Sequence, residues 1–210
     1  MNVIVQWLNE TFAFLDASAA AFANTLHHSQ AGPFLDIFMK LFSFFGSSVL
    51  IVPAFLLLFF KTTRKQGLTM LLAMLIGAVM TNLLLKNLID RPRPYTDLDS
   101  DFFVFWSELG YGELTDASFP SGHTTASFAA MTSLFFCNKK SFRWFFFFPA
   151  AAVGFSRIYF CVHYASDVLF GALIGFLSAG AAFFLITSLF KKLSGTAFTE
   201  FSVTQLFKKH

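Results

Sequence analysis

Charge is scarce in this sequence. Charged residues make up 13% of the 210, against roughly 25% in a soluble domain. Hydrophobic residues make up 56%, and the mean hydropathy is +0.63. Such a chain cannot cover a globular surface with polar groups, so its solvent is a bilayer. Two cysteines exclude a disulfide scaffold and a four-cysteine zinc site. No polar low-complexity tract marks a disordered arm. The net charge is only +3, and no basic stripe supports nucleic-acid binding. Phenylalanine, by contrast, occurs 33 times.

A membrane span needs about 20 apolar residues. Five stretches meet or approach that length: 34–60, 67–89, 119–137, 144–161 and 168–190. Pro53 is expected to kink the first. Residues 1–30 read differently. Val3, Ile4, Trp7, Leu8, Phe12, Leu15, Ala19 and Phe22 recur at helical spacing, with Gln6, Asn9, Glu10 and Asp16 between them. That pattern predicts an amphipathic helix lying in the membrane interface. Residues 1–10 lack the basic start of a signal peptide. A tilted sixth span is the other reading these residues allow. The expected fold is all-α: a polytopic membrane bundle of five to six spans, forming one domain over 1–210.

Sidedness follows from lysine and arginine. Lys61, Arg64 and Lys65 form one cluster, Lys139, Lys140 and Arg143 a second, and Lys191, Lys192, Lys208 and Lys209 a third. If five spans alternate, these ten of fifteen basic residues share one side, the cytoplasm. Lys86, Arg91, Arg93 and Arg157 then lie near the outer face, against the rule, so something else must retain them. The outer loop 95–119 holds half of all the acids and no Lys or Arg. Asp97, Asp99 and Asp101 alternate as in a calcium loop, but Phe102 stands where an EF-hand needs its glycine. The loop reads as a solvated lid. Cys137 and Cys161 are expected at opposite membrane faces, too far apart to bridge. His27 and His28 read as helix-capping or headgroup residues.

Three clusters converge at the outer face. Lys86 sits one turn inside the end of the second span, and Arg93 just past it, where Pro92 and Pro94 stop the helix. Taken alone, Lys86 could be a snorkelling lysine. Pro120-Ser121-Gly122-His123 opens the third span. A helix N-terminus offers free N–H groups and a positive dipole end to an anion, and Gly122 permits close approach. Ser156-Arg157 is followed by His163 and Asp167. An arginine near a helix centre costs about 2.5–3.5 kcal/mol on insertion scales, which makes it a candidate functional residue. His163 and Asp167 are four apart, on one face if the stretch is helical; the carboxylate would then fix the imidazole tautomer. Three cations, a helix N-terminus and two histidines suit phosphoryl transfer, whose transition state spreads negative charge over oxygens.

These residues resemble the signature of the type 2 phosphatidic acid phosphatases, integral-membrane lipid phosphate phosphatases. The matching pattern is Lys86-x6-Arg93-Pro94, then Pro120-Ser121-Gly122-His123, then Ser156-Arg157-x5-His163-x3-Asp167. The resemblance implies that Lys86, Arg93 and Arg157, with Ser121 and Gly122, bind the phosphate. It implies that His163 is the nucleophile, Asp167 orients it, and His123 is the general acid. No metal or other cofactor is implied. Arg91 lies beside the motif and reads as a headgroup contact. The implied protein is a multi-pass cell-membrane enzyme of bacterial type with an outward-facing site. Its implied partners are the bilayer and a lipid phosphate: phosphatidic acid, phosphatidylglycerol phosphate, undecaprenyl pyrophosphate or lipid A phosphate. Vanadium haloperoxidases resemble the same motifs but are soluble. A non-catalytic lipid-phosphate-binding or transport protein would need the cations, but not two histidines and a carboxylate.

Overall fold

A computed structural model of the chain describes residues 2–46, 48–196 and 199, and these are helical with no strand among them. The first two helices are α1 (Val3–Thr11) and α2 (Ala13–His27). They replace the single interfacial helix expected over 1–30, because the chain bends at Phe12. Their polar residues do not all face outward. Asp16 is buried, whereas Phe14 is 86% exposed. Val5 and Leu8 of α1 pack against Ile89 and Phe119, so the segment docks on the bundle. His28 caps α2, and its Nδ1 lies 3.0 Å from the Asn24 carbonyl. His27 pairs instead with Asp36 at 2.9 Å.

α3 (Gly32–Phe45) and α4 (Ile51–Leu56) occupy the first expected span. α3 ends at Phe45 and α4 begins at Ile51, so the two helices are separate before Pro53 is reached. Pro53 lies in the first turn of α4, where a missing N–H costs nothing. α5 (Arg64–Ala78) runs through a π-helical stretch, Val79–Leu85, into α6 (Lys86–Ile89). Such π segments re-aim side chains and recur at functional sites. Asp90 ends this run in the left-handed conformation, with φ 50°. The outer loop is not a plain solvated lid, since it folds into α7 (Asp101–Leu109). Ser100 caps α7 by accepting from the Phe103 N–H, and Gly110 stops it at φ 60°. Asp97 accepts from the Asp99 N–H at 3.2 Å, which makes the Asp triplet a turn leading into α7.

α8 (Gly122–Cys137), α9 (Phe147–Tyr159) and α10 (Ala165–Lys192) complete the chain. α5, α8 and α10 form the centre. Ala73, Ala129, Ala130, Ala179 and Ala182 are fully buried between them. A Cβ on Gly175 would lie 2.5 Å from the Thr125 carbonyl oxygen, so only glycine allows α10 this close to α8. Small residues at helix contacts are how bundles pack where lipid removes the hydrophobic drive between helices. Large apolar side chains such as Ile37, Phe145, Phe148 and Phe184 point outward. Two helical stretches among the described residues, one beginning at Arg64 and the other Ala165–Lys192, are long and apolar enough to cross a membrane. α8, with 16 residues, is roughly 24 Å long at the usual rise per residue. Both cysteines are free.

Candidate active site

The C-terminal ends of α6 and α9 and the N-terminal ends of α8 and α10 meet at one end of the bundle. The basic clusters at 61–65, 139–143 and 191–192 sit at the other end of the same helices. Lys208 and Lys209 lie outside the described residues.

Lys86 and Arg93 come together on Asp116, a residue the motifs do not include. Lys86 Nζ donates to Asp116 Oδ2. Arg93 Nη2 donates to Asp116 Oδ1 at 2.6 Å, and its Nε donates to the Asp116 carbonyl at 2.8 Å. Burial pushes this carboxyl up, but Lys86 and Arg93 outweigh that and hold it down at about 2. Asp116 is thus an internal anion in the place expected for a phosphate. Its side chain is 55% exposed, whereas those of Lys86 and Arg93 are buried.

His163 reaches the same place through a turn, not along a helical face. α9 ends at Tyr159, Cys161 adopts φ 49°, and the Val162 and His163 N–H groups both donate to the Arg157 carbonyl. Asp167 enters from the first turn of α10, where its Oδ2 accepts from the Tyr164 N–H at 3.0 Å. The two side chains face each other with His163 Nδ1 3.5 Å from Asp167 Oδ2. Ser118 lies beside both, its hydroxyl donating to Asp167 Oδ2 at 2.5 Å and lying 3.5 Å from His163 Nδ1. The other ring nitrogen, Nε2, lies 3.4 Å from Arg93 Nη1. A guanidinium can only donate, so Nε2 presents its lone pair there. Burial pushes the His163 imidazole down to about 4; Asp167 opposes this, and Arg93 and Arg157 reinforce it. His163 is therefore neutral near pH 7.

Lys86, Arg93, Asp116, Gly122, His123 and His163 line one cavity of about 460 Å³. Its far wall is apolar, formed by Ile51, Leu71, Met74 and Leu75. Ser121 and Arg157 stand behind this lining. Ser121 is buried, and its hydroxyl accepts from Thr124 at 2.9 Å. Arg157 is fully buried in the last turn of α9, away from a helix centre, where the dipole favours a cation. Its Nη1 donates to Ser43 and, at 2.9 Å, to the Tyr111 hydroxyl. Its Nε and Nη2 are buried and have no acceptor among the described residues.

Arg91 is not a headgroup contact. It is 1% exposed and donates to Asp167, Asp16, Ser166 and Asn9. Motif reading passed over it, along with Asp116, Ser118, Ser43 and Tyr111. The available signal for Asp16 and Ser43 was a polar residue within an apolar helix. Among the described residues, no group of three or more His, Cys, Asp or Glu is placed to hold a metal.

Residues 66–191 match the family profile described as PAP2 superfamily. The chain is 31% identical to an undecaprenyl-diphosphatase of Sulfolobus acidocaldarius, over 65% of this chain and 64% of that one. It is 30% identical to the bacitracin transport permease protein BcrC of Bacillus licheniformis, over 80% and 79%. It is 34% identical to a lipid A 4'-phosphatase of Porphyromonas gingivalis, over 69% and 63%. The chain thus spans a little under two thirds of the length of two of these relatives. The crystal structure of Aquifex aeolicus LpxE superposes with a TM-score of 0.66 at 29% identity, covering 80% of this chain and 94% of that one. A PAP2-type phosphatidylglycerolphosphate phosphatase from Bacillus subtilis shares the fold at a TM-score of 0.60 and 23% identity, covering 92% and 95%. With the profile matched over more than half of its length, and with these relatives, the chain belongs to the PAP2 superfamily.

Proposed function

We propose that this protein is a membrane lipid phosphatase that hydrolyses a phosphate monoester or pyrophosphate of a lipid. The observation that carries the reading is the two-sided cavity, with cations and both histidines at one end and an apolar wall at the other. A lipid phosphate has the same division. Relatives named for undecaprenyl diphosphate and lipid A support the lipid class and differ in headgroup.

In the proposed reaction the phosphate displaces Asp116 from Lys86 and Arg93 and takes up the free N–H donors of Arg157. Gly122 and Ser121, at the N-terminus of α8, complete the cradle. His163 Nε2 attacks phosphorus, and the bond from phosphorus to the leaving oxygen breaks. His123 gives that oxygen a proton. Asp167 steadies the imidazolium side of the phosphohistidine, with Nδ1–H drawing closer than 3.5 Å as charge develops. His123 then takes a proton from water, which attacks phosphorus and releases His163. Fixed cations do the work of a metal clamp, so activity is expected to survive EDTA. We place the site at the outer face of five crossings, opposite the basic clusters.

One relative carries a transport name. Binding without turnover would use the cations but leave two histidines idle. The deciding experiment measures phosphate release, with EDTA present, from purified protein given phosphatidic acid, phosphatidylglycerol phosphate, undecaprenyl pyrophosphate and lipid A. Release from at least one, lost in His163→Ala, is the expected result. Binding of all four without release would leave the non-catalytic reading standing.

A further inference from the structure

The guanidinium of Arg91 lies behind the candidate catalytic pair, and its partners come from three distant parts of the chain. Its Nη1 donates to Asp167 Oδ1 at 2.6 Å and to Ser166 Oγ at 2.8 Å. Its Nη2 donates to Asp16 Oδ2 at 3.0 Å, and its Nε to Asn9 Oδ1 at 3.0 Å. Its plane lies over the Tyr164 ring, 3.8 Å from the centroid. Asp16 also accepts from the Ser166 N–H at 2.8 Å and from the Ser166 hydroxyl at 2.9 Å. Asp90, at φ 50°, ends the helical run immediately before Arg91.

We propose that Arg91, held by Asn9 of α1 and Asp16 of α2, is a positioning residue for Asp167 and, through it, for His163. The N-terminal helices then support the active site as well as the fold. The inference rests on the roles given above to His163 and Asp167.

The physical case is the division of labour on Asp167, which is fully buried. Oδ2 takes Ser118 and the Tyr164 N–H and faces His163, while Oδ1 takes Arg91. A buried carboxylate that loses its donor either takes a proton or swings towards another donor. Both outcomes weaken its hold on His163 Nδ1. Arg91 also grips through its backbone, since its carbonyl accepts from the Ser118 N–H at 2.8 Å, and Ser118 is itself a donor to Asp167. One planar fork serves Asn9, Asp16, Ser166 and Asp167 together, which the single ammonium of a lysine cannot do. Stability alone is a poor explanation for such a site, because a buried ion pair contributes little net stability over an apolar substitute.

The test uses the full chain purified in detergent, with dioctanoylphosphatidic acid as the probe substrate and phosphate release as the readout. Wild type, R91A, R91K, D16N and H163A are compared. Outer-shell groups that orient a working side chain are worth roughly 10–100-fold, so R91A and D16N should lose kcat on that scale with KM little changed. R91K should not restore it. Added guanidinium at non-denaturing concentration should recover part of the R91A loss and none of the H163A loss. D16N is isosteric and decides the matter if R91A does not fold. Wild-type kcat in folded D16N or in folded R91A overturns the inference. A wild type that releases no phosphate from any lipid phosphate overturns the functional reading itself, which is a separate and recognisable failure.

Discussion

The two histidines differ in what surrounds them, and that difference is open to test. His163 is buried with a carboxylate behind it, while His123 is half-buried on the cavity wall. His163→Ala should form no phosphoenzyme. His123→Ala should lose about 10²–10⁴-fold in its phosphorylation rate on an alkyl phosphate, the usual worth of a general acid, and much less of that rate on p-nitrophenyl phosphate, whose leaving group needs no proton. Rapid-quench trapping of acid-labile phosphoenzyme checks both; phosphoenzyme in the His163 variant alone would reverse the roles. Asp116 gives a second prediction at this scale. Its carboxyl, held at about 2, stays ionised throughout the working pH range and always competes with phosphate for Lys86 and Arg93. The stability its ion pairs contribute is present above the ordinary carboxyl value of 3.8 and is lost only as pH falls through about 2. Asp116→Asn removes the competitor. A half-exposed ion pair is worth about 0.2–1 kcal/mol, so KM for phosphatidic acid should fall by a small factor. A raised KM would show that Asp116 holds the cations in place for the substrate.

Two glycines of α10 separate close packing from mere helical propensity. A Cβ on Gly175 would meet the Thr125 carbonyl, the Ala129 N–H and the Phe128 Cβ, all within 2.8 Å, while a Cβ on Gly180 has nothing within 4 Å. Gly175→Ala should therefore destabilise the protein by about 1–3 kcal/mol, the usual cost of overpacking. Gly180→Ala should be neutral, or stabilise by up to about 1 kcal/mol through helix propensity. Thermal unfolding of both variants in detergent measures the contrast. Equal Tm values would mean that α8 and α10 can separate without cost. Element boundaries were legible only where the residues that set them are local. Ser100 and Gly110 bound α7 by cap chemistry, yet the acidic composition of 95–119 hid the helix between them. Pro53 misled in the opposite direction, because a proline in a first turn does not break the helix.

For the whole molecule, the site end and the basic end lie at opposite ends of α8, α9 and α10. Single cysteines at Asp99 and Thr62, both exposed, report on the two ends in intact cells. Asp99→Cys should react with an impermeant thiol reagent, and Thr62→Cys should react only after the membrane is opened. The reverse pattern would put the active site on the cytoplasmic side.

Composition, apolar run length and the spacing of Lys86, Arg93, His123, Arg157, His163 and Asp167 were enough to read an all-helical membrane protein and to single out the residues from which a phosphate site is proposed. Each of those signals is local: bilayer thickness sets run length, and phosphate chemistry demands cations, donors and a base. Tertiary structure alone decided what stands against these residues. Asp116 reaches Lys86 across 30 positions, and Asp16 reaches Arg91 across 75. Neither contact leaves a periodic trace, because a single polar residue in a loop or an apolar helix has the same sequence appearance whether it faces water or a buried guanidinium. The same holds for the approach of α10 to α8, which depends on the surface that faces Gly175 and not on the glycine itself. Close packing makes such partners specific, and it does so between segments whose separation along the chain carries no information about their separation in space.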